Sequence, residues 1–484
     1  MIQRKLFVLG LLTAGFAAFL SCQADTAVNN AGNTVPAPKN VILLIGDGMG
    51  FNHVLAANYY THGEAEVQPY EQEDWLQLAM ATYPAATRVN EEDTVFSDGY
   101  SPRQAWSNLD YLPTGYTGSA ESATAISTGE KTYSTSIGIG ISGDTLTHIS
   151  QAAKALGKSI GVVSSVPLSH ATPAGFAAHN GSRYNYMEIA RYLLFHTRLD
   201  LVMAPGSPDY DNDGLPTEGD IRYIGSREIW DQFKSGEGQT AFVSNGDSLY
   251  VQDVDGDGLR DPWTLIEDRE AFQQLAGGPA PKRVLGIPKA FSTLHYGRSG
   301  AEQPEPFQQP MNENVPSLEE LTKASLNVLS QNDKGFFVMI EGGAIDWAGH
   351  DNHLGRMIEE QVDFNHSIGA VIEWVEKNSS WEETLVIVTA DHETGYLTGP
   401  AYPDQVNPPV ENRGKGMLPD AQWNSDGHTN MLVPFYAKGR GSELFELFAG
   451  EKDPVRGSFI QNSEIGQVLF LLWGKPEIDI HQLK

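Results

Sequence analysis

Mostly apolar runs recur along the chain, of which residues 41–45 are unbroken, and segments with a helical pattern lie between them. The runs are residues 41–45, IGVVSS (160–165), GFFVMIEGG (335–343) and TLVIVTADHE (384–393). A short apolar run without polar alternation is typical of a parallel strand buried on both faces. Of the helical segments, LTHISQAAKALG (146–157) ends at a glycine and PSLEELTKASLNVLSQ (316–331) begins with a capping box. This alternation predicts an α/β fold, a three-layer α/β/α sandwich around a central, mostly parallel sheet.

One segment interrupts the alternation. Residues 205–315 are rich in Asp, Gly and Pro, as EQPEPFQQP (302–310) illustrates. We expect this acidic segment to be an insertion over the sheet edge, within one catalytic domain of residues 39–484, and not a domain of its own.

The N-terminus has the pattern of an export signal. A basic start precedes an apolar run at residues 6–20, which is too short to span a bilayer comfortably and ends near Cys22, the only cysteine. Because this resembles a bacterial lipoprotein signal, we predict a signal peptide at 1–21, a lipid anchor on Cys22 and a flexible tether at 22–38. An ordinary secretory signal with later cleavage is the alternative. Both interpretations predict an exported protein, in the periplasm or at the cell surface.

Composition and charge exclude some classes of function. The chain has 484 residues, of which 40% are apolar, enough for a large core. Its formal net charge is −30 and it shows no basic stripe, so we do not expect nucleic-acid binding. This charge repels anions at long range, so a site for an anionic substrate needs cationic groups close by.

Candidate metal ligands follow each apolar run. Asp47 follows residues 41–45, and His170 and Thr172 follow 160–165. Glu341, Asp346 and His350 follow the apolar part of the third run, 336–340, and Asp391 and His392 follow that of the fourth, 385–388. Ligands bind beyond the carboxyl ends of the strands in open parallel sheets, so these residues should converge. Asp346 and His350 are one helical turn apart, and His428 in a later loop completes a set suited to zinc or magnesium. Taken alone, each such residue is more often a turn former or a cap.

Six segments in order resemble the alkaline phosphatases, over nearly all of the chain after residue 39. They are IGDGMG (45–50), TGSAESATAISTGEKTY (117–133), HATPAGFAAHNGSR (170–183), IEGGAIDWAGH (340–350), TADHETG (389–395) and GHT (427–429). The second begins with small residues and hydroxyls that could not build a core. The resemblance implies that it delivers a serine nucleophile, Ser119, at the start of a helix, where backbone N–H groups favour phosphate oxygens.

The resemblance also implies an activity and its cofactors. Small phosphate monoesters would be hydrolysed through a phosphoserine, and Arg183 would bind two phosphate oxygens. One zinc ion would be held by Asp346, His350 and His428, a second by Asp47, Asp391 and His392, and a magnesium ion by Asp47, Thr172 and Glu341. Members of the family are often dimers, so a homodimer is one possible state of this protein.

The sequence departs from the family pattern at three positions. Gly118 stands where an Asp usually precedes the nucleophile and orients the arginine, so we hypothesise that Arg183 is held more loosely here. His170 and Trp347 occupy two variable positions, and their combination resembles that of cold-active or marine bacterial members. A histidine there could draw zinc to the third site, whereas Trp347 could equally be a packing residue.

Two further acidic loops have the spacing of calcium ligands. DYDNDGLPTEGD (209–220) and DVDGDGLRDPWT (253–264) carry Asp at positions one, three and five and Gly at six. Neither has the bidentate Glu of an EF-hand, so two solvated turns are the alternative. The candidate calcium ligands are Asp209, Asp211, Asp213, Asp220, Asp253, Asp255, Asp257 and Asp261.

Two other functions compete with a phosphomonoesterase. A phosphodiesterase or sulfatase-like relative would share the metal site, but Arg183 favours monoesters, because a terminal phosphate offers free oxygens to a bidentate donor. A non-catalytic, calcium-dependent surface protein would have lost ligands, whereas all the matched ligand positions are filled.

Overall fold

The computed structural model of the protein describes residues 34–88, 94–236, 238–303, 305–401, 405–474 and 477–479. The predicted signal peptide, Cys22 and the first part of the predicted tether lie outside these residues and stay predictions. None of the helices in the described part of the chain is long and apolar enough to cross a membrane.

The described strands vary from two to seven residues. They are β1 (Thr34–Pro36), β2 (Asn40–Gly46), β3 (Leu76–Ala81), β4 (Ala86–Arg88), β5 (Thr94–Phe96), β6 (Ser159–Ser164), β7 (Leu201–Met203), β8 (Ala241–Ser244), β9 (Asp247–Tyr250), β10 (Thr264–Ile266), β11 (Val284–Gly286), β12 (Phe336–Gly342), β13 (Thr384–Ala390), β14 (Glu393–Thr394), β15 (Leu397–Thr398), β16 (Gln422–Trp423), β17 (His428–Thr429), β18 (Val433–Gly439), β19 (Glu451–Asp453), β20 (Gly457–Gln461) and β21 (Glu477–Asp479).

The described α-helices range from single turns to 25 residues. They are α1 (Phe51–His62), α2 (Pro102–Ala105), α3 (Ser119–Thr128), α4 (Ile149–Ala155), α5 (Ala171–Gly175), α6 (Tyr186–Phe195), α7 (Arg227–Ser235), α8 (Arg269–Leu275), α9 (Leu318–Leu329), α10 (Ala344–His350), α11 (Leu354–Asn378), α12 (Phe445–Phe448) and α13 (Asn462–Gly474), with short 3-10 helices at Pro69–Glu71 and Ser442–Leu444.

A large, mostly parallel sheet forms the centre of the molecule. In the described part of the chain its strand order is β10-β11-β7-β6-β12-β2-β13-β18-β3-β20-β19. All neighbours from β10 to β13 are parallel, whereas β18 is antiparallel to both β13 and β3, and β19 is antiparallel to β20. β2, β12 and β13 are buried along their whole length, because helices cover both faces. The predicted α/β fold with a mostly parallel central sheet is confirmed.

Two consecutive residues of β12 show that helices pack on opposite faces of the sheet. The ring of Phe336 contacts Trp374 on α11, with centroids 5.3 Å apart. The ring of Phe337 contacts Phe176, just after α5, and Trp473 on α13. Because successive side chains of a strand point to opposite faces, α11 lies on one side and α5 and α13 lie on the other. This is the three-layer arrangement.

The acidic segment 205–315 does more than lie over the sheet edge. It supplies β10 and β11, and β11 pairs in parallel with β7. Arg283, just before β11, is buried, donates hydrogen bonds to the carbonyl oxygens of Thr197 and Leu199, and lies 3.7 Å above the Trp263 ring. The segment therefore extends the central sheet, because its short strands complete the edge that β7 would otherwise expose.

The end of the predicted tether also differs from expectation. β1 pairs in antiparallel fashion with β21, a strand from the other end of the chain. Residues 34–36, which we predicted to be part of a flexible segment, are therefore in a strand, because their backbone groups have ladder partners.

Candidate active site

Three carboxylates lie where parallel strands end. β6, β12, β2 and β13 are neighbours in the sheet, so their carboxyl ends share one edge. Asp47 follows β2, Glu341 lies near the end of β12, and Asp391 follows β13. Gly48 permits the close approach of these segments, since its φ is +75° and a Cβ there would lie 2.7 Å from the Cα of Asp346.

The first ligand cluster contains Asp346, His350 and His428. The Nε2 atoms of both histidines lie 3.4 Å from Asp346 Oδ1 and 3.1 Å from each other. Each Nδ1 faces a backbone carbonyl oxygen, Asp426 for His350 and Thr117 for His428. A hydrogen bond at Nδ1 leaves the Nε2 lone pair free, which is the usual arrangement of a metal-binding imidazole.

The second cluster contains Asp47, Asp391 and His392, all buried. His392 Nε2 lies 3.4 Å from Asp47 Oδ1 and 3.3 Å from Asp391 Oδ2. The hydroxyl of Thr394 lies 3.2 Å from His392 Nδ1 and donates a hydrogen bond to Asp346, so it links the first two clusters.

The third set has oxygen ligands. Ser164, at the end of β6, donates a hydrogen bond to one carboxylate oxygen of Glu341. The other oxygen of Glu341, Thr172 Oγ1 and Asp47 Oδ1 are buried and have no hydrogen-bond partner. A buried oxygen without a donor is costly, so these atoms are candidates to face a cation. The Thr172 hydroxyl is also close enough to Glu341 to act on the pKa of that carboxyl, which it lowers.

The electrostatics of the site also fit cations. Burial, with the charges of Asp391 and Asp346, raises the pKa of Asp47 well above its usual range. Burial raises the pKa of Glu341 to about 7 and that of Asp391 to about 6. Although burial alone would raise it, the neighbouring histidines hold the pKa of Asp346 below its ordinary value. Such crowded carboxylates are stable as anions only beside positive charge, so the donor set fits divalent ions.

Ser119 lies at the first residue of α3 and faces these clusters. Its Oγ is 3.3 Å from His392 Nε2 and 3.3 Å from Arg183 Nη1. The small residues of 117–129 let α3 pack closely on its neighbours: a Cβ on Gly175 of α5 would lie 2.6 Å from the Cβ of Ala123. Close packing fixes the N-terminus of α3, and with it the serine oxygen, beside the guanidinium.

The carboxylate of Glu121 lies directly beside Gly118. The buried Glu121 carboxylate accepts hydrogen bonds from the backbone N–H of Gly118 (2.5 Å) and of Thr135 (2.9 Å). Thr135 in turn accepts, at its carbonyl oxygen, the backbone N–H of Arg183 at 2.9 Å. A Cβ on Gly118 would lie 3.1 and 3.3 Å from the two carboxylate oxygens, so glycine makes room for Glu121. One carboxylate thus links the N-terminus of α3 to the backbone that carries Arg183.

His170 lies in an aromatic group beside the third set of ligands. Its ring stacks on Tyr186, with centroids 5.3 Å apart, and contacts Trp347 at 5.4 Å and Tyr223 at 5.6 Å. Burial, with the charge of Arg183, lowers the pKa of His170 to about 3, so the ring is neutral at physiological pH. Trp347 is half-buried and also faces the cavity described next.

A cavity of about 520 Å³ opens above Ser119. Ser119 and Asp346, which are both buried, lie at its inner end, and Arg183, His350 and His428 complete the polar part of the lining. The remaining lining residues are Tyr116, Tyr184, Tyr186, Trp347, Asp351 and Gly427. The arrangement places a serine hydroxyl, a guanidinium and candidate metal ligands around one end of a cavity.

The first calcium-like loop directs its carboxylates to separate partners. Asp209 accepts hydrogen bonds from Arg227 (2.6 Å) and from the indole of Trp230 (2.7 Å). Asp220 pairs with Arg222. The loop's other acidic side chains, Asp211 and Asp213, accept backbone N–H groups.

The second calcium-like loop gathers three carboxylates around a lysine. Oxygens of Asp253, Asp255 and Asp261 lie within 4.8 Å of one another. Lys282 Nζ lies 2.6 Å from both Asp255 and Asp261 and 3.8 Å from Asp257. An ammonium group therefore stands among the carboxylates that we predicted to bind calcium.

Comparison with known proteins identifies the family. A family model described as alkaline phosphatase matches residues 38–444. This chain belongs to the alkaline phosphatase family. It is 32% identical over 396 residues to the alkaline phosphatase of Escherichia coli (strain K12), covering 79% of this chain and 76% of that protein. It is 28% identical over 364 residues to alkaline phosphatase 3 of Bacillus subtilis (strain 168), covering 74% of this chain and 61%, less than two thirds, of that relative.

A solved structure has the same fold. The cold-active alkaline phosphatase from Shewanella sp. aligns with a TM-score of 0.59 and 25% identity over 90% of this chain and 99% of that one. Its coverage agrees with an alkaline phosphatase fold over most of the described residues.

Sequence reasoning on this alkaline phosphatase family member missed several residues of the site. Glu121 was not predicted as a site residue, although a Glu three residues after a helix N-cap is a known capping signal. Ser164 and Thr394 carry no sequence signal, because serine and threonine next to strands are common. Tyr116 and Tyr184, each next to a recognised motif, line the cavity only because of how their loops fold.

Proposed function

We propose that this protein hydrolyses phosphate monoesters through a phosphoserine formed on Ser119. The observation that carries the proposal is the position of Ser119 Oγ, at the inner end of a cavity and 3.3 Å from both Arg183 Nη1 and His392 Nε2. A helix N-terminus, a guanidinium and two sets of metal ligands around one hydroxyl are suited to a phosphoryl group and serve no evident packing purpose.

The chain's own residues account for binding and for covalent catalysis. A terminal phosphate at the inner end would accept N–H groups from Arg183 and from the first turn of α3. Ser119 Oγ, as the alkoxide, would attack phosphorus in line while the bond to the leaving oxygen breaks. The proton of the Ser119 hydroxyl would pass to solvent, and the leaving oxygen would take a proton from solvent. Water would then lose a proton as it attacks the phosphoserine from the side the leaving group vacated, which breaks the bond between phosphorus and Oγ, releases phosphate and restores the Ser119 alkoxide.

Three sets of candidate ligands support a proposal for the cofactors. Asp346, His350 and His428 would hold one zinc ion, Asp47, Asp391 and His392 a second, and Asp47, Thr172 and Glu341 a magnesium ion. When bound, such ions would supply Lewis acidity that lowers the pKa of an alcohol or water and offsets developing negative charge. Imidazole with carboxylate suits zinc, whereas carboxylate with hydroxyl suits magnesium.

The experiment is hydrolysis of a simple aryl phosphate monoester, with and without a chelator. We expect wild-type activity to be lost on chelation and restored by zinc and magnesium, and Ser119→Ala to lose activity on the order of 10³-fold or more. Ser127→Ala is the matched control, because Ser127 is another buried serine of α3 and its hydroxyl bonds only to backbone oxygens.

Two results would contradict the proposal. Chelator-insensitive hydrolysis, or equal activity of Ser119→Ala and Ser127→Ala, would exclude a metal-assisted serine mechanism. Hydrolysis of a bis-aryl phosphate, but not of the monoester, would favour the phosphodiesterase alternative.

A further inference from the structure

The cavity above Ser119 is larger than a phosphate group requires. Its inner end is polar, whereas four of the remaining lining residues are aromatic: Tyr116, Tyr184, Tyr186 and Trp347. A volume of about 520 Å³ lies within the range of pockets that bury whole small molecules. The cavity therefore has room for part of a leaving group in addition to the phosphate.

The inner part of this aromatic wall is held by its own packing. Tyr186 stacks on His170 with an interplanar angle of 16° and meets Tyr223 edge to face at 5.3 Å. Trp347 packs on the other side of the group, 5.4 Å from His170. A wall fixed in this way loses little conformational entropy when a planar group packs on it.

The outer part of the wall exposes rings to solvent. Tyr184 is 66% exposed and Tyr116 is 45% exposed, although both are large side chains. Tyr116 also meets His428 edge to face at 5.8 Å. Tyrosine offers a rigid apolar face and a polar edge, which suits a ligand that is partly wetted.

The charges of the wall limit what can bind there. Among the described residues that line the cavity, Arg183 is the one Lys or Arg, and the phosphate would use it. Beyond the inner end the wall carries Asp351, on a chain whose net charge is −30. A second anionic group on the substrate would find no cationic partner.

We infer that the aromatic wall formed by Tyr116, Tyr184, Tyr186 and Trp347 is a subsite for an uncharged, planar aromatic part of the leaving group. The preferred substrates are then single phosphate monoesters whose leaving group carries such a ring. This inference rests on the proposed monoesterase function. Stacking on aromatic side chains contributes roughly 5- to 100-fold per ring in comparable sites.

The test compares adenosine 5′-monophosphate with ribose 5-phosphate. Both release a 5′-hydroxymethyl oxygen, so the bond that breaks is the same and they differ by the base. We expect wild-type kcat/KM to be at least roughly fivefold higher for the nucleotide. In Tyr184→Ala and in the double variant Tyr116→Ala/Tyr184→Ala, the ratio of the two kcat/KM values should fall towards one. A ratio is independent of the fraction of enzyme that is folded.

Tyr250→Ala is the matched control, because Tyr250 is 42% exposed and does not line the cavity. We expect it to keep both the wild-type ratio and the wild-type rate with ribose 5-phosphate. Equal kcat/KM for the two substrates in the wild type, or a ratio unchanged by the tyrosine variants, overturns the subsite but not the monoesterase. Failure to hydrolyse either substrate with zinc and magnesium present overturns both.

Discussion

Glu121 gives a sharp prediction, because one carboxylate holds two parts of the site together. It accepts the N–H of Gly118 at the start of the nucleophile helix and the N–H of Thr135, whose carbonyl oxygen holds the N–H of Arg183. Glu121→Gln keeps the shape of the side chain but leaves a single acceptor oxygen. One of the two backbone donors then faces an NH₂ group and loses its partner.

The size of the effect follows from that loss. Leaving a buried donor without an acceptor costs about 1–3 kcal/mol. Thr135 has a φ of +69°, which is unfavourable for a β-branched residue, so its backbone relaxes readily once the hydrogen bond to Glu121 is gone. Because the backbone N–H of Arg183 is hydrogen-bonded to Thr135, part of this lost free energy should appear as weaker phosphate binding. If the whole of the about 1–3 kcal/mol were lost from binding, the affinity for phosphate would fall by about 5- to 150-fold.

The assay measures KM for an aryl phosphate and the inhibition constant of inorganic phosphate, at saturating zinc and magnesium. We expect both to rise by roughly tenfold in Glu121→Gln, within the limits above. Thr124→Val is the matched control. Thr124 is buried on the same helix, and its hydroxyl bonds to the neighbouring loop at Ser136 and Gly138 but not to Thr135. It should lower the unfolding temperature without weakening phosphate binding.

Two results would refute the reasoning. Phosphate inhibition within twofold of wild type in Glu121→Gln would show that Arg183 does not depend on this carboxylate. An equal rise in Thr124→Val would show that general loosening of the helix is sufficient. Gly118→Asp should also weaken phosphate binding, because the new carboxylate would lie against that of Glu121 and repel it. Tighter phosphate binding in this variant would contradict the role that we assign to Glu121.

Two further predictions concern charge away from the site. Burial lowers the pKa of His148 to about 3, against about 6.5 in an unfolded chain, so between these values the unfolded state binds more protons. The free energy of unfolding should therefore fall as pH drops through this window, by at most about 1.4 kcal/mol per pH unit for this group. If the unfolding temperatures of wild type and His148→Leu depended equally on pH in this window, the prediction would be wrong. Lys282→Met removes the ammonium between Asp255 and Asp261, so millimolar calcium should raise the unfolding temperature of this variant more than that of wild type. Equal increases in the unfolding temperature of the two proteins, or an increase with magnesium as large as that with calcium, would contradict a calcium site in this loop.

The apolar runs were sufficient to predict the centre of the fold. β2, β6, β12 and β13 coincide with the four runs, because strands buried on both faces have no polar positions to obscure the pattern. β10 and β11 were not predicted. They have three residues each, and their place in the sheet depends on pairing with β7, a segment far away in sequence.

The sequence by itself determined the fold class and the position of three carboxylates, Asp47, Glu341 and Asp391, at the strand ends. Parallel strands bring their carboxyl ends to one edge wherever the chain runs between them. Only the tertiary structure decided that Glu121 fills the space left by Gly118 and that Lys282 stands among the carboxylates of the second acidic loop. The contacts of loop side chains depend on which distant segments the fold brings together, and neither periodicity nor residue spacing in the sequence predicts these contacts.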